Sequence, residues 1–461
     1  MNEPIETGRR KRLRSLYYFF GSLIAALVLT WLLKEPAFTP SQLYVLFLLF
    51  FAIGLWLTEA IPAFAVALFL MAYLVFALGS PYFNPAPEKI DRYVNTFSGR
   101  VIWLLLGGFF LAAAMTKTKL DEQLLRLTLK ISGTKPRNIV IAFMFTAMIF
   151  SMVMSATATT AMMVAALMPL LSTTSKSGLS KALLLGISIA ATIGGMGTII
   201  GTSPNAIAVG ILGDNGIRID FLGWMVYGVP LAVALTAISC VVLLWLFVKD
   251  PAPVHLRFLE DKKSQGQNES VLQRSIVLIV IIVTILLWLT TPLHGISVAA
   301  IAAIPIVVLT LTGIITANDL KNLSWDTLFL VAGGLSLGEA LESTGILEHY
   351  AGQIGAMKMG SMAIMFVLVY AAMLFANIMS NAGTCTVLIP LGFALLPGME
   401  KQVALAIAFA SSTAIFLPVA APSNSIVYST GLLEQKDFRI GGILVGILGP
   451  LLAVVWVLLI G

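Results

Sequence analysis

Charge is scarce in this chain. Of its 461 residues only 11% are Asp, Glu, Lys or Arg, less than half the share usual in a soluble domain. With 28 basic and 22 acidic side chains the chain cannot wet the surface of a globule of its size, which excludes a soluble enzyme. Cysteine is scarcer still. Cys240 and Cys385 each sit inside an apolar run, so neither a disulfide framework nor a cysteine metal cluster can be built. The three histidines, His255, His294 and His349, fall in or beside loops and supply no metal-ligand set. An intramembrane enzyme would need a serine with a nearby base, a pair of aspartates or a His/Glu metal set at membrane depth. None of these is visible. The nearest acids, Glu59, Glu339 and Glu342, lie near helix ends, where an interfacial or capping role fits. No span carries an unambiguous carboxylate midway, which a proton-driven cation antiporter would normally bury.

What the chain has is apolar length. Hydrophobic residues make up 59% of it, or about 272 side chains, enough for roughly 13 crossings at about 20 residues each. The fold class expected is an all-α polytopic membrane protein. Eleven runs read as spanning helices: 17–33, 43–57, 61–78, 102–116, 181–212, 225–248, 275–291, 296–315, 327–341, 403–433 and 441–460. Two further apolar stretches, 138–171 and 361–396, are each interrupted midway by small polar residues. They read as re-entrant helical hairpins, because unpaired backbone at membrane depth is tolerated only where protein or water satisfies it.

Charge placement orients these spans. Arg9, Arg10, Lys11, Arg12 and Arg14 precede the first run without a cleavage pattern after it, so they read as a cytoplasmic anchor and not as a removable signal. With the N-terminus inside, the two basic loops, holding Lys117 to Arg137 and Lys249 to Arg274, are both cytoplasmic, and the loops placed outside hold little beyond Lys34 and Arg218. This agrees with the positive-inside rule and puts the C-terminus outside. The net charge of +6 is then a membrane-topology signal, and no nucleic-acid partner is expected. A cell inner (plasma) membrane is the expected location.

The two halves resemble each other at three places in the same order. Gly107-Gly108 matches Gly333-Gly334, Ser155-Ala156-Thr157-Ala158-Thr159 matches Ser380-Asn381-Ala382-Gly383-Thr384, and Thr202-Ser203-Pro204-Asn205 matches Ala421-Pro422-Ser423-Asn424. Five crossings separate the fourth span from the ninth, so the repeats are expected to run in opposite directions through the bilayer. Inverted repeats with paired broken helices point to a secondary transporter with its site near the midplane. The broken fifth and tenth spans carry Gly194-Gly195-Met196-Gly197, Gly201 and Pro204 in one half and Pro418 and Pro422 in the other, which cannot remain helical throughout. Helix N-termini at such breaks suit a carboxylate or another anion, hydroxyls and amides of Ser155, Thr157, Ser380, Asn381 and Thr384 can finish the coordination, and freed carbonyls suit a hard cation such as Na⁺. No Arg or Lys lies at any of the four breaks.

Trp56-Leu57-Thr58-Glu59-Ala60-Ile61-Pro62, together with Pro418, Val419, Ala420, Asn424 and Val427 in the stretch 412–427, resembles the divalent anion/sodium symporter family, which includes the INDY-like dicarboxylate and citrate carriers. The resemblance implies a homodimer whose scaffold holds the subunit contact while the hairpins and the fifth, sixth, tenth and eleventh spans move as an elevator. It implies one sodium site from Ser151, Ser155 and a carbonyl near Gly201, and a second from Asn381 with carbonyls near Met379 and Ala420. It places substrate against Thr157, Ser380, Asn381, Pro422 and Ser423. The chain departs from the family where Ala156 stands for an Asn and Ala382 for a Thr, so each tip has lost one side-chain ligand; Thr159, Thr160 and Asn377 are nearby oxygens that can compensate.

The expected division is a tail at 1–16, a first scaffold part at 17–137, a first transport part at 138–248, a cytoplasmic linker at 249–274, a second scaffold part at 275–360 and a second transport part at 361–461. The function expected is sodium-coupled import of a small divalent anion such as succinate, malate or citrate. The alternatives are sodium-independent dicarboxylate exchange and transport of sulfate or another anion on the same fold.

Overall fold

The computed structural model describes residues 3–173, 177–249, 271–355, 359–418 and 420–461. His255, Val419 and most of the expected linker 249–274 lie outside the described residues, as does the very start of the 1–16 tail. Among the described residues all regular structure is helical. The chain is a multi-pass membrane protein: seven helices, Arg12–Leu33, Pro40–Thr58, Asp91–Lys117, Gly178–Gly197, Phe221–Phe247, Val271–Leu289 and Gln435–Ile460, are long and apolar enough to cross a bilayer. The other expected spans form helices that are shorter, broken or carry acids near their ends.

The first half begins with α1 (Glu3–Leu33), α2 (Pro40–Thr58) and α3 (Ala63–Gly79). The start of α2 is set locally. Thr39 Oγ1 accepts the Gln42 N–H at 3.3 Å, Gln42 Oε1 accepts the Thr39 N–H at 2.9 Å, and Pro40 fills the first helical position, where no N–H is needed. Next come α4 (Arg100–Lys117), α5 (Leu120–Ser132), α6 (Pro136–Ser151), α7 (Ala156–Thr173), α8 (Gly178–Gly194), α9 (Ser203–Asp214) and α10 (Phe221–Phe247). The second half opens with α11 (Val271–Leu289) and α12 (Ala303–Leu311) and continues with α13 (Trp325–Ser343), α14 (Ile346–Gly355), α15 (Ser361–Ala376), α16 (Asn381–Leu395), α17 (Glu400–Ser411), α18 (Pro422–Ser429) and α19 (Gln435–Ile460).

The order of α4 to α10 recurs as α13 to α19: an apolar helix, a short amphipathic one, two helices divided by a four-residue interruption, a broken helix and a long closing helix. Both interruptions and both broken helices fall where small polar residues, Gly and Pro stand in the sequence. The short helices α5 and α14 are additions to the expected pattern.

Glycine fixes how each half packs. A Cβ on Gly107 of α4 would lie 2.9 Å from the carbonyl oxygen of Ala302, and one on Gly333 of α13 would lie 2.6 Å from that of Ala67 on α3. Each Gly therefore allows its helix to approach backbone contributed by the other half of the chain, the packing use of small residues in membranes. At one end of the molecule charged groups line the junction between α9 and α13. Arg92 pairs with Glu339 at 2.6 Å, and Asn215 Nδ2 donates to Glu342 at 3.1 Å. Desolvation, then the nearby carboxylates of Glu339 and Glu342, push the Asp214 carboxyl up to about 6. A raised pKa means the folded chain binds this proton more tightly than the unfolded one, so the contribution of Asp214 to stability falls as pH rises through about 6. Asp214→Asn is expected to raise the melting temperature at pH 8, to raise it less at pH 5 and to leave it unchanged only below about pH 4, where Asp214 is protonated in both states, measured by thermal unfolding in detergent.

Candidate functional site

The two interruptions form the same turn, hydrogen bond for hydrogen bond. At the first tip the Phe150 carbonyl accepts the N–H groups of Val153 at 3.0 Å and Met154 at 2.8 Å; at the second, Phe375 accepts those of Ile378 at 2.9 Å and Met379 at 2.7 Å. The arm that follows is capped alike. Ser155 Oγ accepts the Ala158 N–H at 3.2 Å, and Ser380 Oγ accepts the Gly383 N–H at 3.0 Å. A serine cap satisfies one of the first-turn donors and leaves the others directed out of the helix end. Each tip thus presents a partial positive charge with no basic side chain in the four breaks.

The broken helices are held open by asparagine. Asn205 Nδ2 donates to the carbonyls of Gly195 at 2.9 Å and Thr198 at 2.7 Å; Asn424 Nδ2 donates to Leu417 at 2.9 Å and Ile415 at 3.3 Å. An amide crossing the break replaces the helical donors that the broken turn has lost. Each break is tied to its own tip: Thr198 Oγ1 donates to the Met152 carbonyl, and the Phe416 N–H donates to Asn377 Oδ1 at 3.0 Å. The halves then cross. α7 packs on α18, and α16 packs on α9, so each hairpin lies against the broken helix of the opposite repeat.

Ser151 is fully buried, and its carbonyl oxygen would be 2.9 Å from a Cβ on Gly201, which places the first tip and the first break in contact. Ser155 and Thr157 are exposed at the tip. Ser380 and Asn381 are partly buried, and Met379 is buried in the core that contains Trp56. Ala420 is partly buried and Pro422 exposed. Ser423 faces inward, 1% exposed, with its hydroxyl 2.7 Å from Thr192 Oγ1. No described contact joins the first-tip residues Ser155 and Thr157 directly to Asn381.

Three structural residues complete the picture, and sequence reasoning did not single out two of them. Ser188 and Thr192 lie four apart on one face of α8. Ser188 Oγ donates to Asn424 Oδ1 at 2.6 Å, and Thr192 meets Ser423, so a polar seam joins α8 to α18 inside the protein. Trp56 is the other surprise: a Cβ on Gly383 would lie 2.7 Å from its indole ring, which seats the second tip on the end of α2. The acids at helix ends have structural surroundings, Glu59 at the left-handed C-terminal cap of α2 and Glu339 and Glu342 in the contacts described above.

Comparison with known proteins places this geometry. The citrate transporter family profile matches residues 53–414. The sodium-dependent dicarboxylate transporter SdcS of Staphylococcus saprophyticus is 27% identical over 91% of this chain and 86% of its own length. SdcS of Staphylococcus aureus is 26% identical over 97% of this chain and 92% of its own. An uncharacterized transporter of Haemophilus influenzae is 30% identical over 88% of this chain and 89% of its own.

Proposed function

Because the chain belongs to the citrate transporter family, we propose that it is a secondary active transporter importing a small divalent anion, a di- or tricarboxylate such as succinate, malate or citrate, with sodium as the coupled cation. It is a transporter and not an enzyme. The sodium-dependent dicarboxylate carriers among its relatives support the coupling. The observation that carries the reading is the pair of matched, serine-capped tips without a basic side chain. An anion held there rests on helix N-termini and on a co-bound cation. Substrate carboxylates sit between the tips against Thr157, Ser380, Asn381 and Pro422, with Ser423 behind them; sodium takes oxygens of Ser151 and Ser155 and the Gly201 carbonyl at the first tip, and Asn381 with the Met379 and Ala420 carbonyls is the corresponding set at the second.

A second reading, sodium-independent exchange, is favoured by Ala156 and Ala382, which remove one polar side chain from each tip. Thermal stabilisation of the purified protein by succinate, malate, citrate and sulfate, each in sodium and in potassium buffer, separates the two. Sodium-coupled transport predicts anion stabilisation that is strong in sodium and lost in potassium; exchange predicts equal stabilisation in both.

The architecture we propose is eleven crossings and two re-entrant hairpins in inverted repeats, in the plasma membrane, with the N-terminus cytoplasmic, the C-terminus outside, and a homodimer joined through the scaffold parts 17–137 and 275–360. The transport parts 138–248 and 361–461 move as an elevator. Unequal packing of the two hairpins supports the movement. The second hairpin lies on the scaffold, with Gly383 against Trp56, Thr386 against Gly334 and Pro390 near Gly338. The matching face of the first, Ala158, Ala161, Ala165 and Met168, is exposed. In the opposite-facing state the first hairpin takes the scaffold contact, and repeat register pairs Ala165 with Ala112 as Pro390 now pairs with Gly338. The double variant Ala112→Cys/Ala165→Cys is expected to form a disulfide on oxidation that stops uptake nearly completely and is reversed by reductant. Free uptake with the crosslink formed would reject this movement.

A further inference from the structure

The tips repeat in backbone but not in side-chain oxygens. At an offset of 225, Ser151, Thr159 and Thr160 of the first hairpin correspond to Ala376, Thr384 and Cys385 of the second. All three first-hairpin hydroxyls belong to residues at 0% exposure, and none has a hydrogen-bond partner among the described residues. The second set is satisfied. Thr384 Oγ1 donates to the Ser380 carbonyl at 3.1 Å, Cys385 Sγ lies 3.2 Å from Ser411 Oγ, and Ala376 has no polar side chain. Around the second break the hydroxyls of Ser411, Ser412 and Thr413 also donate to carbonyls of their own helix.

The asparagines differ in the same sense. Asn424 Oδ1 accepts from Ser188, whereas Asn205 Oδ1 is buried and has no partner among the described residues. At the repeat offset of 219, the residue matching Ser188 is Ile407, so the second half has no hydroxyl to supply to Asn205. Asn205 Oδ1 is an acceptor only. Asn205 and Ser151 share one neighbourhood: the Asn205 amide holds the Gly195 carbonyl, a Cβ on Gly195 would be 3.1 Å from the Gly201 carbonyl, and Gly201 abuts the Ser151 carbonyl; Thr159 and Thr160 follow in the opening turns of α7, the arm that leaves the same tip. Buried oxygens left without donors are costly unless something positive meets them, and a cluster of neutral oxygens suits a hard cation.

We propose that cation coupling is unequal between the halves: one sodium ion is held at the first tip, by Ser151, Thr159 and Thr160 together with Asn205, and the corresponding set at the second tip, Asn381 with the Met379 and Ala420 carbonyls, holds none. The inference rests on the sodium-coupled reading above and deepens it. Thr159 and Thr160 stand in for the side chain lost at Ala156, while nothing replaces the one lost at Ala382.

Sodium chloride titrated against the melting temperature of the full-length protein, at ionic strength held constant with potassium chloride, reads the site without an anion. Labelled succinate uptake against sodium concentration reads the coupling. A single-site rise is expected, with a Hill coefficient near 1 in both. Ser151→Ala and Thr159→Val are expected to raise the half-saturating sodium concentration tenfold or more while melting at a similar temperature in potassium, and Cys385→Ala is expected to shift it less than twofold. A Hill coefficient near 2, or equal shifts from Ser151→Ala and Cys385→Ala, overturns the proposal and leaves sodium coupling standing. Stability and uptake that are both indifferent to sodium overturn the coupling and the proposal together.

Discussion

Asn424→Ala is expected to leave little folded protein. Its side chain makes three buried contacts at once, donating to the Ile415 and Leu417 carbonyls and accepting from Ser188. Asn424 is 1% exposed, so bulk solvent does not reach the groups it leaves. Each buried group left unsatisfied costs on the order of 1–3 kcal/mol, so the variant loses about 3–5 kcal/mol, a large share of the total stability of a typical domain. Thermal unfolding in detergent measures it. Asn205→Ala makes a useful contrast. It loses the two donors to Gly195 and Thr198 but removes an acceptor that had no partner, so its melting temperature is expected to fall by less than that of Asn424→Ala.

Gly201→Ala is expected to reduce uptake at least a hundredfold. A Cβ there would collide with the Gly195 carbonyl oxygen and lie 2.9 Å from both the Gly195 Cα and the Ser151 carbonyl oxygen. All three are backbone atoms, so no rotamer change relieves the contact and the break must separate from the first tip. Gly213→Ala on α9, the helix that follows the break, meets nothing within 4 Å and is expected to transport as the parent does. Equal uptake by the two variants would show that the close approach at Gly201 is not needed for transport.

The parts of the fold written in composition were legible before any coordinates. Interruptions at Met152–Ser155 and Asn377–Ser380 fall where the sequence places small polar residues inside apolar runs, and the broken helices end where Gly clusters and prolines make continuation unfavourable. The helices α5 and α14 were not legible, because their charges read as loop; they are amphipathic, and hydropathy sees only the charge on one face. Run length alone makes 181–212 and 403–433 look like single spans, and only the Gly and Pro residues within them marked the breaks. Backbone breaks do not lower hydropathy when Gly, Ala and Pro make them.

The candidate site was legible in type and only partly in arrangement. Small polar residues inside apolar runs marked the tips, and packing brings Ser151 against Gly201. Ser188 and Thr192 escaped notice because a lone hydroxyl in a membrane helix usually bonds to its own backbone, and the partner that gives Ser188 its role, Asn424, is 236 residues away. The seat of the second tip on Trp56 was hidden for the same reason. A motif states which residues occur together along the chain, and only packing shows what they touch.

The central claim is that matched, uncharged tips hold a small divalent anion whose movement sodium drives. Purified protein reconstituted in liposomes, given labelled succinate under an inward sodium gradient and then under an inward potassium gradient, tests it most directly. The account predicts accumulation above equilibrium with sodium and none with potassium. No movement of labelled succinate, malate, citrate or sulfate, with or without a sodium gradient, would contradict it.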